Sequence, residues 1–124
     1  MTDELTQPPI DISVVIPVFN ERDSLSVLFD RLIPVLREST EQFEIIFVDD
    51  GSTDGSSDVL EELHQRDGRV RVVQFRRNLG KSAALAVGFE ESRGGIIITM
   101  DADLQDEPTE IPRFLESIGQ GYDL

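Results

Sequence analysis

The chain has 124 residues, of which 39% are hydrophobic and 29% are charged, and its formal net charge at pH 7 is -14. This length fits one domain with a modest core. The negative charge argues against nucleic-acid binding and against broad docking on anionic lipid, because both need a basic face. An anionic ligand would have to be met by a metal ion or by a small local set of Lys and Arg side chains.

The sequence contains no cysteine, which excludes disulfides, thiolate metal sites and cysteine nucleophiles. The N-terminal MTDELTQPPI is acidic and lacks the apolar segment of a signal peptide. No apolar run approaches the roughly 18 residues that span a bilayer. We therefore expect a cytoplasmic chain with a flexible lead-in at 1–10 and one folded part at 11–124. Peripheral association of the full-length protein with the cytoplasmic face of a membrane stays open.

The first half of the chain contains two apolar runs that predict buried strands, at 11–19 and 43–48. Between them, apolar residues at spacings of three and four predict a helix, which Asn20 caps and which Pro34 kinks or ends early. A second helix follows the second strand, and Gly68 is its expected C-terminal cap.

The second half repeats this alternation. Apolar, β-branched runs at 70–75 and 96–100 predict strands, with a helix at 81–93 between them and a further helix from about Thr109. Apolar strands that alternate with helices predict an α/β fold, with a doubly wound, mainly parallel sheet and helices on both faces.

Polar segments follow all four predicted strands, and they read NE, DDGSTD, RRNLGK and DADLQDE in chain order. In open α/β sheets, ligands bind beyond the carboxyl ends of the strands. The convergence of these segments at one edge of the sheet is the strongest functional signal in the sequence.

Two familiar loop motifs offer alternative functions. The segment 50–61, DGSTDGSSDVLE, has the ligand spacing of an EF-hand calcium loop, but a predicted strand precedes it where a helix belongs. The segment 80–82, GKS, resembles the end of a phosphate-binding P-loop, but Phe75 stands where the first glycine is required. A calcium-binding protein and a P-loop NTPase are therefore the remote alternatives.

Asp101 and Asp103 form a D-x-D pair after the fourth predicted strand. Such a pair can hold Mg²⁺ or Mn²⁺ between carboxylate and diphosphate oxygens, since these ions prefer hard oxygen ligands. The cation would then neutralise the leaving diphosphate as a glycosidic bond breaks. Together with the second acidic turn and the basic loop, the pair favours a sugar-nucleotide transferase.

The segments VVIPVFNE, IIFVDDGSTDGS, RRNLGKSAAL and DADLQDEP closely resemble, in order and spacing, those of glycosyltransferase family 2. Within the family they are most similar to the dolichyl- and polyprenyl-phosphate mannose or glucose synthases, from about Ile12 to the end of the chain. The resemblance implies a GT-A fold, a nucleoside-diphosphate sugar donor, a divalent cation (Mg²⁺ or Mn²⁺) and inversion at the anomeric carbon. It also implies a lipid-phosphate acceptor and a role in the synthesis of cell-envelope glycans.

The resemblance also implies roles for individual residues. Asp101 and Asp103 would be the catalytic metal ligands, helped by Gln105. The residues expected to contact the nucleotide sugar are Pro17, Phe19, Glu21, Val48, Asp50, Arg76, Lys81 and Ala102, with Arg77 as a further candidate. Of these, Val48 and Asp50 would touch the base, and the basic side chains would contact the diphosphate.

Other polar residues near these motifs favour structural roles. Asp49 can cap the turn that follows it, and the segment 52–54 is more typical of helix capping than of catalysis. Arg69 and Arg71 alternate along a strand end, so we expect both to be solvated. The acids at 106–107 precede the predicted last helix, where the helix dipole favours negative charge.

The catalytic domains of this family extend past the point where the chain ends, so the chain matches their donor-binding part. The acceptor site and any general base are expected beyond residue 124. A non-catalytic module that binds a nucleotide sugar or a metal stays open as the alternative function.

Overall fold

The computed structural model describes residues 9–103. Within this range the chain forms four strands and three helices. In chain order they are β1 (Ile12–Val18), α1 (Arg22–Ser39), β2 (Phe43–Asp49), α2 (Ser56–Arg66), β3 (Val70–Gln74), α3 (Lys81–Glu91) and β4 (Ile96–Thr99).

The strands form one parallel sheet in the order β3-β2-β1-β4. α1 and α2 cover one face, and α3 packs against β1 and β2 on the other. This arrangement confirms the predicted doubly wound α/β fold. The chain steps outward from β1 to β3 and then returns to place β4 on the far side of β1. The strand order therefore reverses between β1 and β4, and ligands of such folds bind at the carboxyl ends near that point.

The core follows from the apolar runs. All residues of β2 are buried, as are all residues of β1 except Pro17, because helices cover both faces of these strands. α1 contributes a stripe of side chains that are fully buried: Leu25, Leu28, Leu32 and Leu36. Burying each of them stabilises the fold by roughly 1.5–3 kcal/mol relative to an exposed side chain.

Small residues let α3 approach the sheet closely. Ala84 is fully buried, and a Cβ added at Gly88 would lie 2.2 Å from Cγ1 of Val15. Only a glycine leaves room for this helix at its present distance from β1. The small-residue composition of α3 is therefore a packing requirement of the sheet that carries the site.

The predictions for the ends of α1 need correction. Asn20 does not cap the helix: Glu21 is the N-cap residue, and Asn20 adopts a positive φ of 53°. The Asn20 side chain instead accepts a hydrogen bond from the backbone of Thr53. Nor does Pro34 end the helix early, since α1 continues to Ser39. The exposed proline costs one backbone hydrogen bond, which the burial of the leucine stripe outweighs.

Gly68 is not the C-cap of α2 either. Asp67 takes that position, and its backbone N–H donates to the carbonyl of Leu63. The Asp67 carboxylate also accepts two hydrogen bonds from the Arg69 guanidinium and one from the Arg69 backbone. A side chain therefore closes this turn, and the left-handed conformation that favours glycine is not used.

The prediction that Arg69 and Arg71 are merely solvated is wrong. Arg69 forms ion pairs with Asp67 and Glu41, and its guanidinium lies 4.0 Å from the ring centroid of Phe43. Arg71 donates to the carboxylate of Glu44 at 2.9 Å. Alternation at the start of β3 suggested solvated side chains, but it could not show that Phe43 and Glu44 lie buried on the neighbouring strand.

Glu44 is the centre of a polar cluster at the amino ends of the strands, and its residue is only 2% exposed. Ser13 Oγ donates to its carboxylate at 2.6 Å, and the backbone N–H of Arg93 donates at 2.7 Å. Burial alone would raise the pKa of Glu44, but the hydrogen bonds from Ser13, Arg93 and Arg71 outweigh it and lower the pKa. The cluster fastens β1, β2, β3 and the α3–β4 connection together, far from the carboxyl ends.

Candidate functional site

A cavity of about 320 Å³ opens at the carboxyl ends of β1, β2 and β4. Its lining residues are Pro17, Val18, Phe19, Glu21, Asp50, Lys81, Asp101, Ala102 and Asp103. Eight of these nine residues were predicted from the sequence as site residues. The additional one, Val18, lies between two predicted residues in the chain, so its position was the only available signal.

Four predicted residues are not part of this lining. Val48 is fully buried in the cluster that includes Ala84 and does not line the cavity, and its contact with a base stays a prediction. Arg76 and Arg77 are exposed on the β3–α3 loop and do not line the cavity. Gln105 lies outside the described residues.

The lining is strongly acidic. Four carboxylates, those of Glu21, Asp50, Asp101 and Asp103, share the cavity with the ammonium group of Lys81. Lys81 Nζ lies 2.6 Å from Asp101 Oδ1. A diphosphate would meet net negative charge here, so binding it requires an added cation.

The oxygen donors fit a divalent cation. Asp101 and Asp103 supply hard carboxylate ligands at the end of β4, and a cationic group already contacts Asp101. Within residues 9–103, no three His, Cys, Asp or Glu side chains cluster closely enough to hold a metal by themselves. Two carboxylates leave coordination positions open, as expected where the metal is shared with the oxygens of a bound diphosphate.

Asp50 organises the loop between β3 and α3. Its side chain is almost fully buried, with the residue 4% exposed. Its Oδ1 accepts from the backbone of Leu79 at 2.7 Å, and its Oδ2 accepts from the backbone of Gly80 at 3.0 Å and from Asn78 Nδ2 at 3.1 Å. Lys81 follows directly as the first residue of α3. Asp50 thereby fixes the position of the Lys81 backbone.

These contacts argue against both remote alternatives. The backbone N–H groups of Leu79 and Gly80, which a P-loop would aim at phosphates, are taken up by Asp50. The segment 50–61 follows a strand, and its second half is part of α2, so it does not form a calcium loop between two helices.

The β2–α2 loop also caps α1 from a distance. Ser52 Oγ and Ser56 Oγ accept hydrogen bonds from the backbone N–H groups of Asn20 and Glu21, at 2.9 and 3.2 Å. Asp54 Oδ2 accepts from the backbone N–H of Arg22 at 3.2 Å. These N–H groups would otherwise lack partners at the helix start. The capping role predicted for segment 52–54 is therefore confirmed, but the helix that gains most from it is α1.

Asp49 and Gly51 complete this loop. Asp49 Oδ1 accepts from the backbone N–H of Ser52 at 3.0 Å, which confirms its predicted role in the turn. Gly51 has a φ of 75°, and a Cβ added there would lie 2.4 Å from backbone atoms of Arg77 and Asn78. The loops after β1, β2 and β3 thus form one interlocked unit around the cavity.

In the part of the chain that the structure describes, no helix combines the length and the apolar content needed to cross a bilayer.

Comparison with protein families gives a match to the model of glycosyl transferase family 2 over residues 13–124. The undecaprenyl-phosphate 4-deoxy-4-formamido-L-arabinose transferase of Edwardsiella ictaluri (strain 93-146) is 50% identical over 114 residues, which are 91% of this chain and 35% of that protein. The chain thus spans about a third of the length of such relatives.

Solved structures also match the chain. Glucosyl-3-phosphoglycerate synthase from Mycobacterium tuberculosis, in complex with Mn²⁺, UDP and glucosyl-3-phosphoglycerate, matches with a TM-score of 0.67 and 26% identity, over 88% of this chain and 39% of that one. S. aureus TarS in complex with UDP matches in fold with a TM-score of 0.70 at 21% identity, over 90% of this chain and 32% of that one.

Proposed function

Because the chain belongs to glycosyl transferase family 2, we propose that it is the donor-binding part of a metal-dependent, inverting glycosyltransferase. The donor is a nucleoside-diphosphate sugar, and the acceptor is a polyprenyl phosphate. The observation that carries this proposal is the joining of Asp101, Asp103 and Lys81 in one cavity at the point where the strand order reverses.

The residues of the cavity divide the work of holding the donor. Asp101 and Asp103 would hold Mg²⁺ or Mn²⁺, which neutralises the charge that develops on the leaving diphosphate. Lys81 supplies a second positive charge beside them. Phe19, which is 47% exposed at the cavity, offers a ring face against which a base can stack. The Mn²⁺ and UDP bound by the mycobacterial synthase support a divalent cation and a nucleotide as the ligands of such a cavity.

The acceptor and the sugar are proposed from the curated relatives. These are named as transferases of 4-deoxy-4-formamido-L-arabinose to undecaprenyl phosphate, so this sugar and this lipid phosphate are the first pair to test. A phosphate oxygen is already ionised near neutral pH and attacks without a strong base. Because a polyprenyl phosphate resides in a bilayer, we further propose that the full-length protein acts at the cytoplasmic face of a membrane in the synthesis of envelope glycans.

Calorimetric titration with UDP-, GDP- and dTDP-sugars tests donor binding, in Mn²⁺ and in EDTA. One nucleotide class should bind in Mn²⁺, and Asp103→Ala should weaken that binding at least about tenfold, as expected for loss of a metal ligand. Asp30→Ala, at an exposed position on α1, is the matched control and should bind like the wild type. Equal affinity in EDTA and in Mn²⁺ would refute the metal-dependent mechanism.

The second candidate is a non-catalytic module that binds a nucleotide sugar or a metal, since the cavity offers carboxylates for a metal and a lysine for a diphosphate. A transfer assay with undecaprenyl phosphate separates the two. Turnover by this chain alone would exclude the binding module. Donor binding without turnover, restored when the C-terminal part of a relative is added, would assign donor binding to this part and acceptor chemistry to the rest.

A further inference from the structure

We infer that Lys81 is an exchangeable cation of the donor site: it occupies Asp101 in place of the metal until metal and donor bind, and then moves to the diphosphate. This inference rests on the proposed function and adds an order of events to it. The result is a site that binds free metal weakly and binds the metal together with the donor tightly.

The first observation is the ion pair. Lys81 Nζ contacts Asp101 Oδ1 at 2.6 Å, on a carboxylate that the metal needs. An ammonium group and a divalent cation repel each other at such a distance, so the two cations compete for this oxygen. The side chains of Lys81 and Asp101 are 61% and 41% exposed. An ion pair this exposed is weak enough to be exchanged.

The second observation is that the Lys81 backbone is fixed while its side chain has room. Asp50 holds the residues before Lys81 by three hydrogen bonds, so the start of α3 stays in place. A smaller cavity of about 160 Å³ adjoins the first and shares Pro17, Lys81 and Asp101 with it. The flexible stem of the lysine can therefore leave Asp101 without any movement of the loop.

The third observation concerns charge. In the empty cavity the ammonium group offsets part of the negative charge of the four carboxylates. A metal on Asp101 would lie close to the displaced ammonium group and repel it, and an anion that binds between the two cations would offset this repulsion. The diphosphate of the donor is such an anion. Metal and donor therefore bind cooperatively through Lys81, and by thermodynamic linkage each strengthens the other equally.

The test measures Mn²⁺ affinity from the electron paramagnetic resonance signal of free Mn²⁺, with and without UDP as the diphosphate probe. Without UDP, Lys81→Met should bind Mn²⁺ about three- to tenfold more tightly than the wild type, since a weak competing ion pair is gone. With UDP the order should reverse, and the wild type should bind Mn²⁺ at least about fivefold more tightly. Arg37→Met removes one positive charge at an exposed position in the last turn of α1 and should change neither value.

The reversal distinguishes exchange from simpler roles. A lysine that only contacts the diphosphate would leave Mn²⁺ affinity unchanged without UDP. A lysine that only orients Asp101 would make Lys81→Met weaker in both conditions. Either result overturns the inference but not the proposed function. Absence of Mn²⁺ and UDP binding in every sample would overturn the proposed function, and the inference with it.

A spectroscopic readout follows from the composition, because Lys81 is the only lysine in the chain. Selective ¹³C labelling of lysine gives a single Cε signal. In Asp101→Asn, this signal reports the lysine without its ion pair. Saturating Mg²⁺ should move the wild-type signal toward that reference, and UDP should then move it to a third position. An unmoved Cε signal in a sample that calorimetry shows to be loaded with Mg²⁺ would overturn the exchange.

Discussion

Replacing Asp50 by asparagine tests whether this residue anchors the loop before Lys81. The substitution keeps the size and shape of the side chain but changes one acceptor oxygen into an NH₂ donor. All three groups that face it, from Asn78, Leu79 and Gly80, are N–H donors. In either orientation of the asparagine amide, its NH₂ group therefore faces at least one N–H donor. The hydrogen bonds that remain are weaker, because their acceptor is no longer charged.

The magnitude follows from these contacts. A hydrogen bond to a charged group contributes roughly 1.5–3 kcal/mol to stability. Loss of one such bond and weakening of the other two should lower the free energy of unfolding by about 2–4 kcal/mol. For a domain of this size the lower value corresponds to a fall in Tm of roughly 10 °C. Urea titration and thermal unfolding, followed by circular dichroism, measure both quantities.

The control and the refuting result are specific to this role. Asp30→Asn removes a carboxylate from an exposed ion pair with Arg66 and should cost less than about 1 kcal/mol. If Asp50→Asn is no less stable than Asp30→Asn, Asp50 does not anchor the loop. A changed preference between UDP and GDP at unchanged stability would instead support the base contact that the family resemblance implies.

Three further predictions concern packing and pH. Gly51→Ala should lower the free energy of unfolding by at least about 2 kcal/mol in urea titrations, because the alanine would combine a positive φ with a Cβ 2.4 Å from backbone atoms. Gly68→Ala is its control, and it should change the free energy of unfolding little, because no atom lies within 4 Å of the added Cβ. Gly88→Ala should destabilise the fold, because the added Cβ would clash with Val15. Adding Val15→Ala should remove the clash, so the double variant should be at least about 1 kcal/mol more stable than the sum of the two single effects predicts. The pKa of Glu44 is lowered in the folded protein. The contribution of its carboxylate to stability is therefore complete above the ordinary pKa of 4.5 and is lost as the pH falls through the lowered pKa of the folded state. The stability difference between wild type and Glu44→Gln should therefore be largest near pH 7 and shrink toward pH 3, and a constant difference would contradict this assignment.

The fold could be predicted because its signals are local. Apolar, β-branched runs locate the four strands to within two residues at each end, and their alternation with helices fixes the parallel topology. The cavity lining could be predicted for a similar reason. The carboxyl ends of parallel strands lie at one edge of the sheet. The topology alone therefore predicts that the polar residues that follow the strands lie close together there.

The errors arise where a side chain contacts a residue that is distant in the sequence. Asn20 has the composition of a helix cap, but its partner is Thr53 in another loop. Arg71 has the pattern of a solvated edge residue, but Glu44 is buried on the adjacent strand. Sequence spacing carries no information about partners about 30 residues away.

The distribution of charge explains why so acidic a chain can serve an anionic donor. At the amino ends of the strands, Arg69 and Arg71 are held in ion pairs with acids. At the carboxyl ends, the buried Asp50 is satisfied by N–H groups and needs no counter-ion. The carboxylates of the D-x-D pair differ, since the cation that contacts Asp101 is a lysine on an exposed and flexible side chain. A metal can therefore replace the lysine at Asp101 without breaking a contact that the fold depends on.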